Sequence, residues 1–370
     1  MTIKPLNVLS LKSGTSFENI KYAYILTDGV DIYKTFLTGQ IPLSEFLRTK
    51  IALIVGKDSR NTDDKVLIDA VENDVTSFMV DVLRELISSS AQKADLIGIE
   101  GPTIAHNIEE KYTYQLGKGR KIFETFQIPV VSHFHNADLI NGGQGNPIGA
   151  TYYQALATNL EKPALFINIG GVTSLTYIGA FGDMLSFDCG PGNGILNEFM
   201  QKHAGIAMDY NGQSAACGTA NEKIVNGLMR AEFFEKKPPK ALNRDFFADK
   251  MEHFEGLSVQ DGAATIVAFI AESIAVSVST ICADMPRTIF ICGEGAFNPT
   301  LVRSIKQKLK QQGLTAQTTH DDIKPDDAAC IAFLAARRLY NLPVTFPSTT
   351  GVSAPVTGGK IYDKDNIDEK

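Results

Sequence analysis

The 370-residue sequence lacks the cysteine patterns that mark disulfide-stapled or zinc-binding proteins. It has five cysteines, an odd number, and no two of them form a CxxC pair. We therefore expect reduced thiols, as in a cytoplasmic protein. Long apolar runs are also missing, since none reaches the roughly 18 residues of a membrane span. The opening MTIKPLNVLSLKSG has neither the basic start nor the apolar core of a signal peptide. These absences argue against export and membrane insertion.

An excess of basic residues is absent as well. Acidic residues number 42 against 35 lysines and arginines, which gives a formal net charge of −7. Because nucleic acids and anionic membranes bind positive surfaces, we expect neither as a partner. Two nucleotide-binding signatures are also missing, the GxxxxGK[ST] loop and the GxGxxG turn. The remaining composition is that of a globular protein, and the length predicts two domains.

One strand pattern is used twice along the chain. Residues 165–187 divide into three short apolar or β-branched segments, the first two joined by Gly170-Gly171. Residues 7–37 repeat this plan, with Ser13–Ser16 at the first turn. About 155 residues separate the two copies, which predicts an internal duplication of architecture.

Helices are expected between and after these strands. Apolar residues at helical spacing predict helices at 41–55, 62–90, 148–158, 195–203, 222–231, 261–283, 299–312 and 326–341. Strands that alternate with helices predict an α/β protein with mixed sheets covered by helices. Together with the doubled plan, this predicts two ribonuclease-H-like domains with an active-site cleft between them.

The best candidate for a domain break is Glu161–Pro163. We therefore assign residues 1–160 to an N-terminal domain and residues 161–341 to a C-terminal domain. Residues 342–370 are expected to pack back on the first domain. The predicted cleft is lined by four strand-to-loop junctions rich in small residues, namely 13–16, 170–171, 188–193 and 293–296.

The most distinctive stretch follows the third strand of the second copy. Asp188 ends that strand, Cys189–Gly194 turns the chain, and a helix follows. A carboxylate beside the backbone N–H groups of a helix N-terminus suits an anionic substrate. A carboxylate at a strand end is also able to take a proton from water. The alternative is a tight βα turn whose glycines serve backbone geometry only.

Other residues admit two interpretations each. Cys189 is a candidate nucleophile, although the sequence gives it no nearby partner. His133 and His135 lie two residues apart and form a candidate metal pair, but no third ligand is evident. The basic loop Lys236–Arg244 contacts a phosphate or a subunit partner, or it is a plain surface loop. We predict no metal ligands among the site residues.

A series of short motifs, in order, resembles the anhydro-N-acetylmuramic acid kinase family, a branch of the sugar kinase, actin and heat-shock ATPase superfamily. The resemblance runs from about residue 8 to residue 360, and FDCGPGN is its most specific part. The motifs are SGTS (Ser13–Ser16), GGQGNP (Gly142–Pro147), INIGGVTSLTYI (Ile167–Ile178), FDCGPGN (Phe187–Asn193), KPPKALNRDFF (Lys237–Phe247), CGEGAFNP (Cys292–Pro299), Asp327-Ala328 and FPSTTG (Phe346–Gly351).

The resemblance implies a reaction and a set of roles. ATP with Mg²⁺, water and 1,6-anhydro-N-acetylmuramic acid would give N-acetylmuramic acid 6-phosphate in peptidoglycan recycling, with Asp188 as the general base for water. It also implies a cytoplasmic homodimer. The implied nucleotide-binding residues are Ser13, Gly14, Thr15, Ser16, Glu18, Gly170, Gly171, Gly293 and Gly295. The implied sugar-binding residues are Thr103, His135, Asn193 and Asp327.

Several positions depart from the family pattern. The first turn carries Glu18 and Lys21 in place of two aspartates, and Glu100 and Pro102 replace a histidine and a glutamine. His133 and His135 stand where the family has an aspartate and an arginine that would bind the sugar's carboxylate. Arginine and histidine are not equivalent partners for a carboxylate. The departures imply an alternative, a catalytically impaired pseudokinase or a kinase for a different sugar.

Overall fold

A computed structural model of the protein describes residues 3–14, 17–242, 244–281, 285–319 and 324–365. The chain forms two compact units. Unit 1 consists of Met1–Leu156 together with Asp326–Lys370, and unit 2 is the continuous segment Ala157–Pro325. Unit 1 is therefore built from both ends of the chain.

The first segment of unit 1 alternates strands and helices. In chain order its elements are β1 (Leu6–Ser13), β2 (Asn19–Thr27), β3 (Ile32–Pro42), α1 (Glu45–Ala52), α2 (Thr62–Ser89), β4 (Leu96–Glu100), β5 (Thr103–Asn107), β6 (Tyr112–Gln115), α3 (Gly119–Phe126), β7 (Val130–Ser132), α4 (Asn136–Ile140) and α5 (Ala150–Leu156).

Unit 2 follows with its own strands and helices. They are β8 (Ala164–Ile169), β9 (Val172–Ile178), β10 (Met184–Pro191), α6 (Asn193–Ala204), α7 (Gln213–Cys217), α8 (Glu222–Leu228), α9 (Glu232–Glu235), α10 (Val259–Ile281), β11 (Thr288–Cys292), α11 (Pro299–Gln311) and β12 (Gln317–Thr318). Short 3₁₀ turns cover Tyr210–Gly212, Arg244–Phe254 and Glu294–Phe297.

The chain then returns to unit 1 with α12 (Asp327–Leu339), α13 (Pro347–Thr350) and β13 (Lys360–Tyr362). This return differs from the predicted division, which placed residues 326–341 in the second domain. The physical reason is the alanine-rich face of α12, whose residues Ala328–Ala336 pack into a buried cluster with Val8, Ile25 and Leu96. A serine hydroxyl fixes the contact, since Ser10 Oγ donates to Ala328 O at 2.6 Å.

Each unit contains a mixed sheet, and five strands follow the same order in both. The sheet of unit 1 has β13 as an additional edge strand. In unit 1 the order is β13-β7-β4-β1-β2-β3, and in unit 2 it is β10-β9-β8-β11-β12. The first strand of each set pairs antiparallel with the second and parallel with the fourth, as β1 does with β2 and β4 and β8 with β9 and β11. This confirms the predicted α/β class and the repeated ribonuclease-H-like plan.

Helix α2 shows how local sequence sets these elements. Its N-cap is Asn61, whose side chain accepts hydrogen bonds from the backbone N–H groups of Asp63 and Asp64. The negative charges of those two residues also interact favourably with the positive end of the helix dipole. The apolar side chains recur at helical spacing and are buried at Ile68, Val71, Val75, Met79, Val82, Leu83 and Leu86. The predicted range, 62–90, agrees with this helix.

Helix α10 is the most apolar segment of the chain. Of the helices in the described ranges, it alone is long and apolar enough to cross a membrane. We expected no apolar segment as long as a membrane span, and the length and composition of α10 contradict this expectation. However, 67% of its apolar window is buried inside the protein, and Phe269, Ile270 and Ile274 pack in the core of unit 2. A buried helix of this kind is the centre of a folded unit.

Candidate active site

The site in unit 2 begins with a row of polar side chains that crosses the sheet. Asp188 on β10 lies opposite Ser174 on β9, which lies opposite Asn168 on β8. Their chain neighbours Phe187, Leu175 and Ile167 pack into the core of unit 2. Because side chains alternate along a strand, the three polar residues project from the opposite face. We call this set the unit 2 row.

Asp188 is nearly buried, with 6% of its surface exposed. One carboxylate oxygen, Oδ2, accepts a hydrogen bond from Leu242 N at 2.9 Å, and no described residue donates to Oδ1. Burial raises the pKa of Asp188 to about 7, and the hydrogen bond from Leu242 opposes that rise. A carboxyl whose pKa lies near neutral pH is suited to exchange protons with water during a reaction.

The turn after Asp188 is fastened to the end of β8. Asn193 N donates to Gly170 O at 2.7 Å, while Gly192 N and Gly194 N donate to Gly171 O at 3.0 and 3.1 Å. These three N–H groups are therefore already hydrogen-bonded within unit 2. Unlike these N–H groups, the side-chain oxygen Asn193 Oδ1 is buried and has no hydrogen-bond partner among the described residues.

The turn after β11 lies against the same place. Gly293 has φ of +80°, and a Cβ atom there would lie 2.4 Å from Asn168 Oδ1. A Cβ atom on Gly295 would lie 2.3 Å from Ile169 Cγ2 and 3.3 Å from Asn193 Oδ1. The structure thus brings together three predicted turns, at residues 170–171, 192–193 and 293–295. Only glycine permits this close approach of backbone to neighbouring strands.

Unit 1 contains a second row, which crosses β2, β1 and β4 of its own sheet. Lys21 on β2 lies opposite Lys12 on β1, which lies beside Glu100 on β4. Like charges directly opposite each other in a sheet repel, and here each lysine is paired with an acid. Lys12 Nζ donates to Glu100 Oε1, and Lys21 Nζ donates to Asp327 Oδ2 at 2.8 Å. We call Lys21, Lys12 and Glu100 the unit 1 row.

His135 belongs to this charged cluster. Its Nδ1 donates to Gly145 O at 2.7 Å, and its Nε2 lies 3.3 Å from Glu100 Oε2. Burial alone would raise the pKa of Glu100, but the charges of Lys12 and His135 hold it well below its ordinary value. His135 is 5% exposed, and both ring nitrogens face partners within unit 1. This differs from the predicted contact with a sugar.

The other predicted residues of unit 1 lie close to the row along the chain. Ser13 Oγ donates to Gly14 O at 3.2 Å, and Glu18 O accepts from Leu43 N at 2.8 Å. Thr103 Oγ1 accepts from Gln115 Nε2 at 3.3 Å. Thr15 and Ser16 lie outside the described residues.

A protein-bound magnesium ion does not fit this arrangement. Within the described ranges, no group of three or more His, Cys, Asp or Glu residues is placed to hold a metal. Two carboxylates of unit 1, those of Glu100 and Asp327, are ion-paired with Lys12 and Lys21. A cation held by either carboxylate would have to displace a lysine.

The thiol alternative also loses support. Cys189 is buried, and burial raises the pKa of its thiol far above the ordinary value. A nucleophilic cysteine needs the opposite shift, because the thiolate is the reactive form. Cys189, Cys217, Cys292 and Cys330 are all free thiols, and Cys282 lies outside the described residues.

Comparison with known proteins decides the family. The family model described as anhydro-N-acetylmuramic acid kinase matches residues 6–364. A relative of that name from Acidiphilium cryptum is 34% identical over 358 residues, which cover 96% of this chain and 98% of the relative. The chain belongs to the anhydro-N-acetylmuramic acid kinase family. A second member, from Zymomonas mobilis, is 32% identical over 364 residues. The aligned region covers 96% of this chain and 99% of that relative.

Membership of the anhydro-N-acetylmuramic acid kinase family makes this protein a phosphotransferase of the kinase class. Among solved structures, the activator of the 2-hydroxyisocaproyl-CoA dehydratase from Clostridium difficile aligns with 91% of this chain and 96% of its own. The sequence identity is 14% and the TM-score 0.45. A likeness at this level supports no inference about the present chain.

Two members of the unit 2 row were not predicted from the sequence of this kinase. Asn168 and Ser174 lie on strands that were recognised, but their alignment with Asp188 depends on strand register. The available signal was alternation, which is clear for Asn168 between Ile167 and Ile169 and weaker for Ser174, which lies between Thr173 and Leu175. Extended over three strands, that alternation places one polar side chain of each strand on the same face.

Proposed function

We propose that this protein uses ATP and water to convert 1,6-anhydro-N-acetylmuramic acid into N-acetylmuramic acid 6-phosphate. The observation that carries the proposal is Asp188, a nearly buried carboxylate with a pKa of about 7 and one oxygen that no described residue occupies. We further propose a cytoplasmic homodimer that acts in cell-wall recycling. Mg²⁺ enters only as the counter-ion of ATP, joined to its phosphate oxygens.

The reaction assigns one proton step to the chain. Asp188 takes a proton from water as the water oxygen bonds to C1 of the sugar, and the bond between C1 and O6 breaks. The freed O6 bonds to the γ-phosphorus of ATP, and ADP leaves. The barrier to such phosphoryl transfer is lowered mainly by positioning and by charge stabilisation. Asn193 Oδ1, buried without a partner, is assigned to accept a hydrogen bond from the sugar.

Nucleotide binding is assigned to the glycine turns. The turns at Gly170-Gly171 and Gly293–Gly295 are packed together, and Phe297 follows them with 84% of its surface exposed. An exposed aromatic ring offers a face on which a base can stack. Within unit 1 we assign Ser13 and Gly14 to a phosphate contact, and Thr103 and the partly exposed Asp327 to a sugar contact.

The Gly295→Ala variant tests the nucleotide assignment. A Cβ atom there would lie 2.3 Å from Ile169 Cγ2, on a β-branched side chain that cannot turn aside. We expect the turn to shift and the affinity for ATP to fall at least tenfold, as measured by isothermal titration. Gly227→Ala is the matched control, because a Cβ atom there meets nothing within 4 Å. Equal affinities of the two variants would contradict the assignment.

Catalysis is tested by coupled detection of ADP released in the presence of the anhydro sugar. Release by the natural chain, with loss in an Asp188→Asn variant, supports the proposal. Activity no greater than that of the variant refutes it. Tight binding of ATP or sugar without product would instead identify a pseudokinase.

A second candidate is a kinase for a related anhydro sugar that lacks the lactyl carboxylate. The observation that favours it is His135, whose two ring nitrogens face Gly145 O and Glu100. A buried histidine with these partners is poorly placed to bind a substrate carboxylate. A comparison of kcat/KM for 1,6-anhydro-N-acetylmuramic acid and 1,6-anhydro-N-acetylglucosamine decides between the two candidates.

A further inference from the structure

The segment Lys240–Leu242 holds Asp188 at two points. Asp188 N donates to Lys240 O at 2.8 Å, and Leu242 N donates to Asp188 Oδ2 at 2.9 Å. The first bond fixes the backbone of Asp188, and the second fixes its carboxylate. The segment lies outside any helix or strand, because α9 ends at Glu235 and the next helical turn begins at Arg244. Side-chain contacts add to these two hydrogen bonds, and one of them is the packing of Leu242 in the core of unit 2.

Lys240 supplies such a contact. It is 6% exposed, and its Nζ donates to Phe233 O at 2.8 Å. The same ammonium lies 4.3 Å from the centroid of the Phe233 ring and 5.9 Å from that of Phe234. Cation–π attraction and a charge-assisted hydrogen bond thus act on one group. Lys236 and Lys237, which precede this segment, are exposed, as is Lys223 on α8.

A buried lysine is costly if it only fills space. Removing an ammonium from water is unfavourable, and a methionine would fill a similar volume without that penalty. Burial lowers the pKa of Lys240, which is the expected sign of this cost. Within the described residues, the titratable groups that interact electrostatically with Asp188 or Lys240 are Cys189 and Lys236. Cys189 is held as a neutral thiol, and Lys236 is paired with Glu232.

We infer that Lys240 is a positioning residue. Its contact with Phe233 holds the segment Lys240–Leu242, and this segment orients Asp188 to take a proton from the water that attacks the sugar. This inference rests on the proposed function. Without the anchor, the N–H group of Leu242 moves away from the carboxylate. That hydrogen bond favours the ionised form, so its loss raises the pH at which Asp188 becomes a base. Displacement of a reacting group by about 1 Å is enough to lower a rate about 100-fold.

Lys240→Met is the test, with Lys223→Met on α8 as the matched control. We expect Lys240→Met to lower kcat at pH 7 by about ten- to 100-fold and to change KM for ATP less than about twofold, because Lys240 contacts no assigned nucleotide residue. The acid limb of the kcat/KM profile should move up by about one pH unit. Lys240→Arg, which keeps a cation and N–H donors, should recover most of kcat. Lys223→Met should match the natural chain.

Hydrogen exchange of the Leu242 amide supplies a readout that does not depend on activity. We expect faster exchange in Lys240→Met than in Lys223→Met. A folded Lys240→Met protein with the exchange rate, kcat and pH profile of the control overturns the inference. If the methionine variant does not fold, Lys240→Gln replaces it with the same expected direction.

Failure of the proposed function gives a different result. In that case the natural chain and Asp188→Asn release ADP equally slowly, whatever residue stands at position 240. The exchange experiment then still shows whether Lys240 anchors the segment.

Discussion

Asp188→Asn is expected to lower kcat for sugar-dependent ADP release by about 10²- to 10⁴-fold, the range that a general base contributes. Asparagine keeps the size of the side chain but cannot accept a proton from water. The natural chain should gain activity as the pH rises through about 7, because that is where Asp188 loses its proton. The residual activity of the variant should lack this rise. A steady-state pH profile of kcat/KM between about pH 5 and 9 measures both effects.

The same substitution is expected to stabilise the fold. Folding raises the pKa of Asp188 from about 3.9 to about 7. The carboxyl therefore contributes stability that is fully present below about pH 4 and is lost as the pH rises through about 7. At pH 8 the buried charge costs at most about 4 kcal/mol. The inactive variant should accordingly melt at a higher temperature than the natural chain at pH 8, with a smaller difference at pH 5.

Asp209→Asn provides the matched control for both measurements. Asp209 is 5% exposed, lies in unit 2 and accepts hydrogen bonds from Ser214 N at 2.8 Å and Ala215 N at 3.1 Å. An amide in its place presents an N–H group to one of these donors, so we expect lower stability with kcat retained. If Asp188→Asn instead loses stability and keeps its activity, Asp188 is a structural residue and the proposed base must lie elsewhere.

The second large effect is expected in unit 1. Glu100→Gln should lower the free energy of unfolding by about 3 to 5 kcal/mol, because it leaves the Lys12 ammonium and His135 without their shared counter-charge. Glu100 is 6% exposed, so water cannot readily replace it. Urea unfolding at pH 7 measures the change. The double variant Lys12→Met with Glu100→Leu should recover much of the loss, since it removes both charges together.

The pH dependence of this pair has the opposite sign to that of Asp188. The pKa of Glu100 is lowered in the folded state, so its contribution is present above the unfolded value of about 4.3 and is lost as the pH falls. Asp74→Asn is the control, because the Lys50–Asp74 pair is more exposed, at 34% and 46%. Such surface pairs contribute about 0.2 to 1 kcal/mol. Equal effects of the two substitutions would show that Glu100 is not held by a buried ion pair.

Local patterns in the sequence predicted much of the fold. Val172–Ile178 was predicted with the bounds that the structure shows, because most of its residues are β-branched or aromatic and its ends are marked by glycine. Helix α2 was equally clear from its apolar spacing. The predicted helix at 41–55 begins only at Glu45, since Ile41 and Pro42 complete β3. The hairpin of β5 and β6 was not predicted, because its short strands carry polar residues.

The candidate site was harder to predict because it depends on contacts between distant residues. Asp188 stood out through its place at the end of a strand. Nothing local connects it with Leu242, 54 residues away, or Glu100 with Lys12, 88 residues away. His135 was assigned to a sugar from the family resemblance, and its contact with Gly145 arises from the fold of the loop that follows α4. These contacts depend on strand register and loop packing, which local sequence patterns do not reveal.

The discontinuity of unit 1 has a consequence for synthesis on the ribosome. Unit 2 is continuous and is complete once residue 325 has emerged, whereas unit 1 still lacks α12. Until that helix arrives, Val8, Ile25 and Leu96 lack the part of their cover that α12 supplies. The part of the protein made first is thus finished last, and its nascent form presents an apolar surface that chaperones can hold.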